Sequence, residues 1–503
     1  METAPATDAD AIEAATQQKG RALLTGLHDE ERKWTSPGDA FYDAVMALTT
    51  ADDKLKVELF RFVDALPALQ TDESVARHLE EYLTQPGVTL PPGFDSLLKA
   101  AGAIPLSRKA VALSAKIGAE GMAKRFIAGR NAKEATGAVE KLRRNHLTFT
   151  LDLLGEAVTS EADAVAYQKK YLDLLTELAP TATKWRTDPQ TDESPFGALP
   201  KVNVSVKLSS LYARFDPMAS DATTNAVKDR LRPILRLAKS VGAFVNFDRE
   251  QHDFSDVSGR IFREVFTESE FAEWADVGIV VQAYLQDAEA ELDALAVWVR
   301  QERRGVPVTV RLVKGAYWDY ETIVSAQRGH GVPVWQTKPE TDACFERCTD
   351  FLLRHHDVLR PAIATHNVRS AAKAQALAAA YGLPPRTAEF QVLFGMGEPI
   401  GRALAAQGER VRVYVPFGEL LPGMAYLVRR LLENTSNDSF VRKVGAERDA
   451  AGLLVPPIPP APLSPRNGEK GGVRSVAASL DGETRERSET APLTIPKNCT
   501  NHI

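Results

Sequence analysis

The chain has 503 residues, with 61 lysine and arginine side chains against 67 aspartate and glutamate side chains, and its formal net charge is −6. A charge this close to neutral excludes a protein built mainly to bind nucleic acid, which needs a strongly basic face. Hydrophobic residues make up 44% and charged residues 25%, as in ordinary globular proteins. No apolar run approaches the roughly 18 residues of a membrane-spanning helix, and the acidic start lacks a secretion signal. We therefore expect a cytoplasmic protein.

The three cysteines are too few for a disulfide scaffold, and their spacing matches no zinc motif. Cys344 and Cys348 lie one helical turn apart in an amphipathic stretch, which indicates buried packing. No metal site is predicted.

Residues 1–145 are predicted to form a helical arm or cap. Stretches such as DAFYDAVMALTT and ESVARHLEEYL place apolar residues at the i, i+3, i+4 and i+7 positions of amphipathic helices. Nothing in this region clusters titratable groups, so its expected role is structural.

After residue 145, short apolar strands alternate with amphipathic helices. Eight strands that alternate with helices predict a closed α/β barrel, a (β/α)8 fold, over residues 146–445. The predicted strands are 147–154, 201–209, 243–248, 278–285, 308–313, 361–366, 387–394 and 411–417.

Residues 456–503 are rich in proline and contain no aromatic residue. Such a segment buries too little apolar area to offset the entropy of ordering it, so we predict a disordered tail. Deletion of everything after about Ala450 is expected to leave activity largely unchanged.

In a (β/α)8 barrel, catalytic groups lie at the C-terminal ends of the strands, where the βα loops converge. Seven of the eight predicted strand ends carry a polar or ionisable residue. They include Glu156, Lys207, Asp248, Gln282, Arg311, His366 and Tyr414. This convergence predicts an active site at that end of the barrel.

Two cationic features add to this pattern. Lys314 precedes Gly315 and Ala316 at a strand-to-helix turn, where small residues let backbone amides approach a ligand. Arg429 and Arg430 are adjacent on a helix after the last strand, and paired guanidinium groups suit a small carboxylate. A plain tight turn and a solvated helix face are the alternative interpretations, and adjacent helical positions point about 100° apart.

Five segments together resemble the flavin-dependent proline dehydrogenase family, and more narrowly the proline dehydrogenase half of the bifunctional proline utilization A proteins. The segments are VSVKLSSLYARFDP, RLVKGAYWDYE, ATHNVRS, EFQVLFGMG and VYVPFGELLPGMAYLVRRLLENTSNDSFVR. The resemblance covers residues 35 to 445. The chain differs from the bifunctional members because a proline-rich segment stands where an aldehyde dehydrogenase domain follows, and because it lacks a basic DNA-binding segment.

The resemblance implies a distorted barrel that holds FAD over its strand ends and L-proline against the flavin. It implies that Arg429, Arg430 and Lys207 bind the substrate carboxylate, with Glu156 and Asp248 as compensating anions. Asp248 matches an active-site aspartate, Tyr414 a residue against the proline ring, and Arg311 a cation near the reactive flavin nitrogen. The implied flavin contacts are Arg249, Gln282, Lys314, Gly315, Ala316, Trp318, Thr365, His366, Leu393 and Glu433.

The implied reaction is hydride transfer from C5 of L-proline to flavin N5, which gives Δ1-pyrroline-5-carboxylate in the first step of proline catabolism to glutamate. The implied electron acceptor is a membrane quinone, which would place the protein at the inner face of the membrane. The implied partners are a separate pyrroline-5-carboxylate dehydrogenase and further copies of the chain as a homo-oligomer.

Two other interpretations remain open. Asp248, His252, His366 and Glu389 are residue types that bind metals and lie near strand ends, which would suit a metal-dependent hydrolase, although no paired motif such as H-x-H is present. The second is a proline-sensing scaffold that has kept the barrel and lost turnover.

Overall fold

Eight parallel strands close into a barrel in the computed structural model, which describes residues 9–33, 52–89, 105–154, 158–419, 423, 426, 429, 430 and 450–457. Neighbouring strands follow one another along the chain, and the first pairs with the last to close the sheet. The barrel strands are β1 Thr148–Leu153, β4 Asn203–Val206, β5 Phe244–Phe247, β6 Val277–Gln282, β7 Val308–Val313, β8 Leu359–Ala364, β9 Glu389–Leu393 and β10 Arg410–Phe417. The predicted closed α/β barrel with eight strands is confirmed.

The strands are shorter than predicted at several ends, and this shift matters for the site. Strand β4 ends at Val206 and a tight turn begins at Leu208, so Lys207 lies just beyond the strand. Asp248 likewise follows β5, and His366 follows β8. The hydrogen bonding between neighbouring strands ends where the backbone turns away from the barrel sheet. These polar residues therefore occupy the βα loops rather than the strands.

Helices surround the barrel in the alternating order that the sequence predicts. They are α5 Ala132–Arg143, α6 Glu161–Ala182, α7 Pro189–Asp192, α8 Ser220–Ser240, α9 Ser255–Thr267, α10 Ala288–Gln301, α11 Trp318–Arg328, α12 Lys338–Arg354, α13 Val368–Ala380 and α14 Glu398–Ala406. A short hairpin, β2 Glu193–Ser194 and β3 Gly197–Ala198, precedes β4. Strands β1 and β6 are buried at every position, as strands covered on both faces must be.

The described part of the N-terminal region is helical, as predicted. It comprises α1 Ala9–Lys33, α2 Asp53–Ala65, α3 Asp72–Leu83 and α4 Pro105–Phe126. Helix α1 packs along α13 and α14, and the Arg369 guanidinium on α13 binds the Glu13 carboxylate on α1 at 2.8 Å. Helices α2 to α4 form a second apolar cluster that includes Met396 and Tyr426 from the barrel. No helix of the described residues is long and apolar enough to cross a membrane.

A short segment, α15 Ala450–Leu453 with the residues up to 457, docks on this arm. The Leu454 side chain is fully buried, and its carbonyl accepts hydrogen bonds from Gln17 (2.7 Å) and Arg369 (2.9 Å). A truncation after Ala450 would therefore remove a core side chain. The predicted tail beyond residue 457 lies outside the described residues.

Replacement of Leu454 by alanine is expected to lower the free energy of unfolding by about 2–4 kcal/mol, because it empties a buried site between α1 and α13. The matched control is Val455→Ala, whose side chain is 61% exposed and which should change stability by less than about 0.5 kcal/mol. Urea unfolding measures both. Equal stabilities of the two variants would mean that the segment does not dock.

Candidate functional site

A cavity of about 330 Å³ opens at the C-terminal ends of the barrel strands. This volume falls at the lower end of the range of small-molecule sites. Fourteen of the predicted site residues line it. They are Lys207, Asp248, Arg249, Gln282, Arg311, Lys314, Gly315, Ala316, Thr365, His366, Leu393, Tyr414, Arg429 and Arg430.

Among the described residues, one predicted site residue, Trp318, does not line the cavity. Trp318 packs instead beside Tyr284, Leu285 and Val334, and its indole N–H donates to the Trp335 carbonyl at 2.7 Å. Glu156 and Glu433 lie outside the described residues.

Asp248 is the centre of a buried hydrogen-bond network. Its Oδ1 accepts from Arg311 Nη1 at 2.7 Å, and its Oδ2 accepts from the Tyr414 hydroxyl at 2.7 Å. The Arg311 guanidinium carbon lies 5.2 Å from the centre of the Tyr414 ring, and Arg311 Nη2 also donates to Ser205. Burial, with the Asp152 and Asp248 carboxylates, raises the pKa of Tyr414 well above its ordinary value. Tyr414 therefore stays protonated and donates to Asp248.

Asp152 is a site residue that the sequence did not predict. It is 1% exposed near the end of β1, and its carboxylate forms an ion pair with Lys207. Burial raises the pKa of Asp152 to about 6, Asp248 adds to the shift, and Lys207 opposes it. A cation and two carboxylates are thus packed together at the base of the cavity, and Asp152 rather than Glu156 is the described acid beside Lys207.

Arg429 and Arg430 both line the cavity, although adjacent helical positions diverge. The Arg429 guanidinium lies 5.9 Å from the centre of the Tyr317 ring, and that of Arg430 lies 5.1 Å from the centre of the Tyr426 ring. Contacts of this kind attract a guanidinium to the face of an aromatic ring and so orient it. Both cations can therefore face a ligand in the cavity.

Lys314 is held at the cavity wall by a carboxylate that the sequence did not reveal. Asp342 on α12 forms ion pairs with Lys314 and with Lys338, the latter at 2.7 Å. Burial lowers the pKa of Lys314 to about 8, and Asp342 opposes that shift. Because one carboxylate serves two lysines, this wall keeps a positive charge.

Gly315 follows Lys314 in a backbone conformation that favours glycine, with φ of 136°. A Cβ atom at this position would lie 2.4 Å from the Tyr284 ring. The Tyr284 amide also donates to the Lys314 carbonyl at 2.7 Å. The ring and this hydrogen bond fix the turn that presents Lys314 and Ala316 to the cavity.

His366 has a defined tautomer. Its Nε2 accepts a hydrogen bond from the Leu393 amide at 2.9 Å, so the ring is neutral there and carries its proton on Nδ1. Gly397 packs against this ring, since a Cβ there would lie 2.5 Å from Nε2. Thr365 Oγ1 accepts from the Asn367 amide at 3.0 Å, and Asn367 caps α13.

The lining carries more cations than anions among the described residues. Seven lysine and arginine residues line the cavity together with three carboxylates. Two more carboxylates lie behind the wall, where Glu291 pairs with Arg249, and Asp342 pairs with Lys314 and Lys338. The surplus of two positive charges makes the cavity receptive to an anionic ligand.

The metal-hydrolase interpretation fails on the position of Glu389. This residue begins β9, at the opposite end of the barrel from the cavity, and its carboxylate binds Arg412 (2.7 Å) and Arg410 (3.1 Å). These ion pairs lower the pKa of Glu389 to about 2 against the effect of burial. Glu389 therefore cannot join Asp248 and His366 around a metal, and the described residues contain no cluster of three metal-binding side chains.

A closed (β/α)8 barrel with converging ionisable residues at its C-terminal end is the architecture of a barrel enzyme. The profile described as "Proline dehydrogenase" matches residues 135–443, and that described as "Proline utilization A N-terminal domain" matches residues 13–126. The chain belongs to the proline dehydrogenase family.

Two curated relatives show how the chain compares with complete proteins. The "Bifunctional protein PutA" of Klebsiella aerogenes is 33% identical over 347 residues, which is 68% of this chain and 25% of the relative. The "Proline dehydrogenase" of Deinococcus radiodurans is 31% identical over 324 residues, which is 64% of this chain and 88% of the relative.

Among solved structures, proline utilization A from Bdellovibrio bacteriovorus, inactivated by N-propargylglycine, superposes with a TM-score of 0.80 at 41% identity. The match covers 90% of this chain and 45% of that one. The chain therefore matches 25% of the length of the Klebsiella relative and 45% of the length of the Bdellovibrio protein.

Proposed function

We propose that this chain is an FAD-dependent proline dehydrogenase that oxidises L-proline to Δ1-pyrroline-5-carboxylate. The observation that carries the proposal is the buried base of the cavity, where Asp248 joins Arg311 to Tyr414 and Asp152 holds Lys207. Membership of the proline dehydrogenase family supports the same reaction.

The residues that line the cavity fit a flavin dinucleotide. The wall combines apolar side chains, among them Val280, Val313 and Val392, with the surplus of cations that a pyrophosphate requires. The Nε atoms of Arg249 and Arg311 are buried and have no hydrogen-bond partner among the described residues. The residues proposed to hold FAD are Arg249, Gln282, Arg311, Lys314, Gly315, Ala316, Thr365, His366 and Leu393, with Trp318 and Glu433 retained from the family resemblance.

The substrate carboxylate is proposed to bind Lys207, Arg429 and Arg430. A guanidinium fork binds a carboxylate through two parallel hydrogen bonds, and Lys207 adds a point charge. Tyr414 would pack its ring against the pyrrolidine, since Asp248 already engages its hydroxyl. Glu156 remains a proposed compensating anion near these cations.

When bound, FAD would supply the hydride acceptor for C5 of proline. The protein's part is to orient the substrate, to exclude water from the base of the cavity and to stabilise developing charge. Arg311 is positioned for the last role, because Asp248 and Ser205 fix both of its terminal nitrogens inside the barrel.

Four further features are proposed from the family resemblance. The electron acceptor is a membrane quinone, and the protein is cytoplasmic and peripheral to the inner face of the membrane. A separate pyrroline-5-carboxylate dehydrogenase takes the product, and the chain assembles as a homo-oligomer. Accumulation of pyrroline-5-carboxylate with an artificial acceptor, rather than glutamate when NAD is added, tests whether the chain stops at the first oxidation.

An anaerobic absorption spectrum before and after addition of L-proline tests the proposed reaction. Bleaching of the oxidised flavin bands is the expected result. A purified protein without flavin absorbance, which also fails to bind added FAD, would overturn the cofactor assignment. Binding of proline without bleaching would instead support the proline-sensing scaffold.

Replacement of Gly315 by alanine is expected to reduce the flavin content of the purified protein at least tenfold, because the new Cβ collides with the Tyr284 ring at 2.4 Å. The flavin-to-protein absorbance ratio measures this loss. The control is Gly329→Ala, at the end of α11, where φ is 66° and a Cβ would have no neighbour within 4 Å. That control should cost some stability and keep the flavin. Normal flavin content in the Gly315 variant would place the dinucleotide elsewhere.

The affinity for an unreactive carboxylate such as cyclopentanecarboxylate is expected to fall as pH rises through about 6. Below that pH, Asp152 is protonated and leaves the charge of Lys207 for the ligand, whereas above it Asp152 ionises and competes. Because its pKa is raised above 3.8 by folding, the stability that protonated Asp152 contributes is also lost as pH rises through about 6. Titration from pH 5 to 8 measures the affinity. The dependence should vanish in Asp152→Asn, and its persistence there would assign it to another group.

A further inference from the structure

A second, smaller cavity lies at the N-terminal end of the barrel. This basal cavity has a volume of about 30 Å³, and its lining includes Asn203, Arg360, Glu389, Gln391 and Arg410. Asn203, Glu389 and Arg410 are the first residues of their strands. A single water occupies roughly 10–15 Å³ by this kind of measure, so the basal cavity has room for about two small species.

The basal cavity contains more positive than negative charge. Arg311, Arg360, Arg410 and Arg412 line it, against the carboxylates of Asp276 and Glu389. Arg311 is neutralised from the opposite side, because it binds Asp248 at 2.7 Å. One guanidinium charge is therefore left without a carboxylate in the lining, in a place where an uncompensated charge is costly.

Glu389 cannot supply the missing compensation. Its carboxylate already accepts four hydrogen bonds, two from Arg412 (2.7 and 2.9 Å), one from Arg410 Nε (3.1 Å) and one from Gln391 (2.7 Å). The guanidinium carbon of Arg360 lies over the Phe196 ring, 5.1 Å from the ring centre. Burial lowers the pKa of both Arg360 and Arg410, as expected of guanidinium groups that lack an adequate counter-charge.

Besides Arg311 Nε, two donors and two acceptors of residues that line the basal cavity are buried and have no partner among the described residues. The donors are Arg410 Nη1 and Arg360 Nε, and the acceptors are Asn203 Oδ1 and Gln391 Oε1. Arg410, Gln391 and Asn203 are each at most 5% exposed. A monovalent anion would accept from the two arginines, and one accompanying water would donate to the two amide oxygens.

We propose that the basal cavity is a binding site for a halide-sized monovalent anion, held by Arg410 and Arg360 together with one water. The anion supplies the negative charge that the lining lacks, and it accepts hydrogen bonds from the arginine donors. Water alone could accept those hydrogen bonds, but it would leave the surplus positive charge uncompensated. The site lies toward the N-terminal end of the barrel, whereas the substrate cavity opens at the C-terminal end, and Arg311 and Gln391 line both cavities. The proposed role of the anion is to stabilise the barrel.

Bromide is the probe for the position of the anion. Crystals of the wild-type chain grown in sodium bromide, with diffraction measured at the bromine absorption edge, should show an anomalous peak within about 3.5 Å of Arg410 Nη1. A cavity occupied only by oxygen density, without an anomalous peak, would overturn the proposal.

Thermal unfolding at constant ionic strength tests the effect in solution. Replacement of potassium gluconate, whose anion is too large for the cavity, by potassium chloride should raise the Tm of the wild-type chain by about 2 °C or more, with saturation. Arg410→Lys keeps a cation for Glu389 and should abolish the chloride-dependent rise. The control Arg347→Lys changes a half-exposed arginine that pairs with Glu289, and should keep the rise.

Two other results also bear on the proposed anion site. A bromide peak without a chloride-dependent rise in Tm would mean binding at crystal concentration only, which overturns the proposal. If Arg410→Lys does not fold, the wild-type Tm series and the anomalous map still decide between an anion and water.

Discussion

Replacement of Arg429 or Arg430 by alanine is expected to raise the KM for proline by a factor of about 30 to several thousand while the flavin stays bound. Loss of one partner of a desolvated charge pair costs about 2–5 kcal/mol. Proline has a single carboxylate and few other atoms, so little binding energy elsewhere compensates. Steady-state kinetics with the flavin absorbance as an internal standard measure the effect.

Pyrrolidine, which lacks the carboxylate, separates this role from a general disturbance of the site. Each arginine variant should lose part of the preference for proline over pyrrolidine, because pyrrolidine then leaves one cation fewer unpaired. Lysine at either position should restore only part of the affinity, since it offers a point charge rather than a planar fork. Arg300→Ala, at a 45% exposed side chain, should leave KM unchanged. Unchanged KM in both arginine variants would remove this helix from the substrate site.

The barrel and most of the cavity lining could be predicted because both follow local rules. Short apolar runs that alternate with amphipathic helices predicted eight strands. The polar residues at the C-terminal ends of those strands included Lys207, Asp248 and Arg311, which the structure brings into one cavity. The orientation of the adjacent Arg429 and Arg430 could not be predicted, because it depends on contacts of their guanidinium groups with the Tyr317 and Tyr426 rings.

The residues that the sequence analysis missed depend on contacts between distant parts of the chain. Asp152 lies inside an apolar strand, whereas the predicted acid of this strand, Glu156, lies beyond its end. A lone aspartate within LTFTLDLL was itself the available signal, since an ionisable residue in a buried strand needs a partner. Asp342 gave no such signal, because its place beside Lys314 depends on how α12 packs against the barrel.

Replacement of Lys207 by methionine is expected to lower the free energy of unfolding by about 3–5 kcal/mol, because it leaves Asp152 buried beside Asp248 without its cation. Addition of Asp152→Asn in the same chain should recover most of that loss, since the buried charge is then gone. Urea unfolding of the wild type, the two single variants and the double variant gives the interaction free energy of the pair. Strictly additive losses would mean that the two side chains do not interact in solution.

The same four proteins distinguish a structural lysine from one that binds substrate. If Lys207 contacts the proline carboxylate, the double variant should regain stability yet keep the weakened proline affinity of Lys207→Met. Asp152→Asn alone should bind proline at least as tightly as the wild type at pH 7, because nothing then competes for the ammonium group. Recovery of proline affinity in the double variant would instead show that Lys207 serves only to neutralise Asp152. The carboxylate site would then consist of Arg429 and Arg430 alone.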